Sequence, residues 1–166
     1  SLQKLFDDPN SFSGCHSDLT IDGIKFAICR GGWPASLKGK TDKAKLEIAK
    51  DLFNQTCNVG ISKIDNIKRN PLWPRTLLRS YSRNLCTLAE TKTIYGDTVS
   101  TCEMSKPVYY EYISGLEKLM IIEDIDAWCP SIRSKTAIRS SKKRNVIDPS
   151  IAAAALGVSP EYFAKD

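Results

Sequence analysis

From Arg75 to Leu85 the residues sort onto two faces of a 3.6-residue repeat. Leu77, Leu78, Tyr81 and Leu85 share one face, while Arg75, Arg79 and Arg83, spaced i, i+4, i+8, line another. A segment patterned this way is a helix with one buried side, so the rest of the chain must supply apolar faces to cover it. Several stretches qualify. Asp18 or Thr20 can cap a helix running to about Arg30, with Ile21, Ile24 and Ile28 at helical spacing and Gly31-Gly32 as its stop. Thr41 or Asp42 caps a second, striped by Leu46, Ala49, Leu52 and Phe53, which is expected to end near Asn58 to Gly60. A weaker helix covers about Leu88 to Ile94, after which Tyr95-Gly96-Asp97 is expected to turn. Ser105 caps a further helix with Pro107 in its first turn, where a missing N–H costs nothing; Val108, Tyr112, Leu116 and Leu119 form its buried stripe.

The period then changes. Ile121 to Trp128 is apolar with interspersed acids and is followed by Cys129-Pro130, the pattern of a strand and its end, and Asn145-Val146-Ile147 reads as a return strand. The expected fold is mainly α with a small β-hairpin (α+β). Helices followed by a two-stranded hairpin is the order of a winged helix-turn-helix. Asp148 to Asp166 is expected to hold two short helices around Leu156-Gly157-Val158 without an evident partner. Together with the start at Ser1, this points to a segment of a longer protein.

Charge is localised. The chain has 24 Lys and Arg against 19 Asp and Glu, a net of +5. Six of those cations (Arg133, Lys135, Arg139, Lys142, Lys143 and Arg144) lie between Pro130 and Ile147 with no acid among them. The remaining 18 and 19 nearly cancel, so one stretch carries the basic character. It reads either as the contact for a localised anionic partner or as a loop kept soluble by its charges. No stretch approaches the ~18 consecutive apolar residues of a membrane span.

Residues for chemistry are sparse. The six cysteines never lie closer than Cys15 and Cys29, 14 positions apart, whereas zinc sites use ligand pairs a few residues apart. In a non-secreted chain such thiols are expected to be reduced and mostly buried. His16 is the single histidine and sits in a loop-like stretch, so no Ser-His-Asp or two-His set can be built. Gly39-Lys40-Thr41 resembles the end of a phosphate-binding loop, but the position of the first glycine is Pro34, which has no N–H to donate. Glu90-Thr91-Lys92 has the acid-x-Lys order of metal-dependent nucleases without a partner carboxylate motif, and reads as solvated helix surface.

Four segments together resemble the region that follows the ATPase core in prokaryotic AAA-type P-loop ATPases. Arg30-Gly31-Gly32-Trp33-Pro34 is similar to that family's Gly-Gly-aromatic-Pro motif. Leu77-Leu78-Arg79-Ser80-Tyr81-Ser82-Arg83-Asn84 resembles its "LLRSLARN" helix. Tyr112 to Leu119 with Ala127-Trp128, and Lys143 to Asp148 with Leu156-Gly157, resemble two further stretches. The resemblance implies a helical lid-like region over 1–70, a winged helix over 71–147, and the truncated start of a nuclease-like C-terminal domain over 148–166. It implies a non-catalytic, cytoplasmic regulatory and binding fragment, with the P-loop ATPase domain upstream in cis and ATP with magnesium belonging to that parent. Arg30, Gly32 and Pro34 would then contact nucleotide in the full-length protein. Equally, Trp33 would be a core anchor and Gly31-Gly32 a simple helix stop. Lys106, Arg133, Lys135, Arg139, Lys142, Lys143 and Arg144 are the expected contacts to duplex DNA, with a protein partner as the other candidate. A free-standing winged-helix regulator and a half-contained nuclease are the competing readings; catalytic residues, metal ligands and cofactors of the fragment itself are expected to be none.

Overall fold

The computed structural model describes residues 2–8, 10, 14, 17–64, 67–127 and 141–164. Its helices in chain order are α1 (Leu2–Asp7), α2 (Ile21–Arg30), α3 (Pro34–Leu37), α4 (Asp42–Gln55), α5 (Ile61–Lys63), α6 (Leu72–Arg83), α7 (Thr91–Val99), α8 (Lys106–Lys118) and α9 (Pro149–Leu156). A single 3-10 turn follows at Tyr162–Ala164.

Threonine hydroxyls cap α2 and α4. Thr20 Oγ1 accepts from the Gly23 N–H at 3.1 Å and begins α2; Thr41 Oγ1 accepts from Ala44 at 3.2 Å and begins α4. Ser105 holds the cap position of α8 with Pro107 in the first turn, but its side chain makes no capping bond. The α4 helix does not end at Asn58–Gly60. It widens into a π turn over Thr56–Gly60 and continues as α5, with Gly60 at φ −56° and ψ −52°. Thr56, Cys57 and Ile61 are all buried, so the apolar side continues across the expected break and holds the helix together.

The α7 helix is also longer than expected, and Tyr95-Gly96-Asp97 lies inside it. Ile94 and Thr98, one turn apart and both fully buried, outweigh the cost of about 1 kcal/mol that an interior glycine imposes. The core joins Leu77, Leu78 and Tyr81 of α6 to Ile94, Tyr109, Tyr112, Leu116 and Ile151, so α6 is covered on the side its pattern marked.

The expected β-hairpin and winged helix are not formed. Among the described residues there is no strand, only isolated antiparallel bridges pairing Ile122 with Val146 and Ile125 with Lys143. Ile125 and Lys143 exchange both backbone hydrogen bonds at 2.9 Å. At the next rung Glu123 N–H donates to the Asn145 carbonyl, but Asn145 N–H turns to the Asp124 carboxylate instead of returning the bond. That side chain breaks the ladder. Ile121 and Ile122 are also buried side by side, without the alternation a two-faced strand needs.

The C-terminal stretch does have a partner. Asp148 caps α9, whose Ser150, Ile151, Ala152 and Ala153 are buried against α6, α4 and α2.

Candidate functional site

Arg133, Lys135 and Arg139 lie outside the described residues, as do Cys15, His16 and Cys129. The other expected DNA contacts have distinct surroundings. Lys106 is exposed in the first turn of α8, where the helix dipole gives a cation no support. Lys142 forms an ion pair with Asp126 at 3.0 Å. Lys143 has an exposed side chain on a backbone pinned to Ile125.

Arg144 points inward. Its Nη1 donates to Asp124 Oδ2 at 2.5 Å, Nε to the Ala89 carbonyl at 2.8 Å and Nη2 to Thr91 Oγ1 at 3.1 Å. The Asp124 carboxylate also accepts from the Tyr81 phenol, and the guanidinium lies 5.8 Å from the Tyr81 ring. Side-chain exposure of the Arg144–Asp124 pair is 12% and 9%. Burial, then the Asp124 carboxylate, push the Tyr81 phenol above its ordinary pKa. Arg144 and Asp124 thus fasten the two chain segments that pair at Ile125 and Lys143.

The glycine-aromatic-proline turn has internal work. Gly31 sits at φ +73°, and a Cβ there would come within 2.4 Å of Ser150 Oγ and 2.6 Å of Asp148 Oδ1. Gly32 N–H donates to Asp148 Oδ2 at 2.8 Å, and Trp33 Nε1–H donates to Ser150 Oγ at 2.9 Å. Asp148 Oδ1 meanwhile accepts from the Ser150 N–H at 2.9 Å. One carboxylate therefore caps α9 and ties it to the turn. Pro34 is exposed at the start of α3, and Arg30 Nε is buried without a hydrogen-bond partner among the described residues.

The arginine row on α6 borders a groove of about 570 Å³ between α6, the end of α7 and α9. Arg75 donates to Asn58 Oδ1 at 3.0 Å and lies 5.3 Å over the Phe53 ring, so the π turn that carries Asn58 also fixes Arg75. Arg79 and Arg83 are exposed. The row itself is readable in the sequence. Its groove is not, because the facing walls come from residues near 100 and 155.

Cys29, Cys57 and Cys102 are buried thiols, and burial pushes Cys57 up to about 12. Glu90 and Lys92 pair with each other at 2.8 Å on the surface. Among the described residues, no cluster of His, Cys, Asp and Glu is arranged to hold a metal, and no helix is long and apolar enough to cross a membrane.

A family model described as Domain of unknown function (DUF8612) matches residues 21–162. No curated protein and no solved structure matches the chain.

Proposed function

The chain belongs to the family described as Domain of unknown function (DUF8612), and from that premise we propose that it is a non-catalytic binding module that grips the backbone of duplex DNA. The contact is the basic stretch from Arg133 to Lys143, with Lys106 of α8 as a further cation. The observation that carries this reading is the clamped stem. Asp124 and Arg144, partly buried and joined by a charged hydrogen bond, hold Ile125 and Lys143 together, so the segments ending at Ile125 and beginning at Lys143 meet at one fixed point. A stretch rich in cations and anchored at its base can meet phosphates without ordering the rest of the fold. Such contacts position a protein on the duplex without reading bases. The resemblance to AAA-type ATPases supports a regulatory place for this module beside an ATPase domain in cis.

The roles within the stretch divide. Arg144 belongs to the stem, and Lys142 is ion-paired with Asp126, leaving Arg133, Lys135, Arg139 and Lys143 as the working contacts. Changing those four to Glu while keeping Arg144 is expected to abolish duplex binding, measured by fluorescence anisotropy, with the far-UV circular dichroism unchanged. Duplex affinity that survives the quadruple change would sink the proposal and turn attention to a protein partner for the stretch.

A further inference from the structure

We propose that the groove beside α6 is a second, separate anion site that takes a small ligand carrying at least two linked phosphate groups. Three arginines border it in a row, their backbone positions about 6 Å apart along the helix axis. Like charges one turn apart repel, so the row costs stability unless something neutralises it. The helix dipole favours Arg83, the last residue of α6, but not Arg75 eight residues earlier.

Nothing in the described protein neutralises Arg79 or Arg83. Asp97 lines the same groove, yet it accepts from the Ser80 hydroxyl at 2.8 Å and forms no ion pair with either arginine. Arg75 is held ready by Asn58 and the Phe53 ring. Guanidinium forks match phosphate oxygens in pairs, so two neighbouring forks suit two linked phosphates better than one. The volume falls in the range of about 300–1,000 Å³ common for small-ligand sites. Thr101, with a hydroxyl, and apolar Ala155 also line the groove.

The test is isothermal titration of the protein with inorganic pyrophosphate and, separately, with orthophosphate at low salt. Pyrophosphate is expected to bind at one site per chain and at least about tenfold more tightly than orthophosphate. Arg79→Glu with Arg83→Glu should weaken it by at least about tenfold; if that pair fails to fold, Arg79→Gln with Arg83→Gln carries the same expectation. Asp97→Asn removes the one carboxylate in the groove and should strengthen binding about threefold, a gain that general loss of structure cannot produce. The quadruple change in the basic stretch should leave pyrophosphate affinity as it was. Absent saturable binding, equal affinity for the two anions, indifference to the arginine variants, or loss through the basic stretch would each overturn the assignment. Because the DNA assay uses a different surface, failure of one proposal leaves the other standing.

Discussion

Lys143 and Arg144 are neighbours in sequence with opposite surroundings. The lysine side chain is in solvent, whereas the arginine makes side-chain hydrogen bonds to Asp124, Ala89 and Thr91. The sequence shows six cations without an acid, but their partners Asp124 and Asp126 lie just outside the counted stretch. Local charge counting could not find them, because the pairing depends on the chain returning to Ile125. The difference is measurable. Arg144→Ala strands the Asp124 carboxylate in a largely dry setting and is expected to cost about 3 kcal/mol in urea unfolding. Lys143→Ala should change stability by less than about 0.5 kcal/mol. Similar losses from the two substitutions would show that Arg144 is not a stem residue.

Helices whose signals are local were legible. Thr20, Thr41 and the stripe on α6 marked α2, α4 and α6 because caps and apolar spacing act within a few residues. Elements decided by distant packing were not. Tyr95-Gly96-Asp97 has turn residues locally but is held helical by the burial of Ile94 and Thr98, and the hairpin gives way where Asp124 takes a backbone N–H and Ile121 and Ile122 are buried side by side. The partner of α9 was hidden for the same reason, since Gly32 and Trp33 meet Asp148 and Ser150 across more than a hundred residues. This seat makes Gly31 irreplaceable. Its φ of +73° with ψ 177° belongs to a region nearly reserved for glycine, and a Cβ would strike Ser150 and Asp148. Gly31→Ala is expected to destabilise the protein by about 2 kcal/mol or more in denaturant unfolding. Asp148→Ala, which removes the α9 cap and the tie to Gly32, should cost about 1–2 kcal/mol. A Gly31→Ala protein as stable as the parent would contradict this account of how α9 is docked.

For the molecule as a whole, buried weak acids set the alkaline limit. Burial pushes Cys57 from 9.0 and Tyr109 from 10.0 up to about 12, and raises Tyr81 and Tyr112 as well. Folding keeps these groups protonated, so their contribution is fully present below their ordinary values and is lost as pH climbs from about 9 toward 12. Urea midpoints should therefore hold level to about pH 9 and fall beyond it; a flat profile to pH 11 would contradict the burial of these groups. At the same scale, Lys142 and Lys143 are exposed, and we propose that the cations from Arg133 to Lys143 meet DNA phosphates. The salt dependence of duplex binding tests this most directly, because each phosphate contact releases counterions. With about four contacts, log affinity against log salt should fall with a slope near −3 to −4, and the quadruple Glu variant should show no measurable binding from which a slope could be drawn. A slope near zero for the unaltered chain, or no binding at low salt, would contradict the claim.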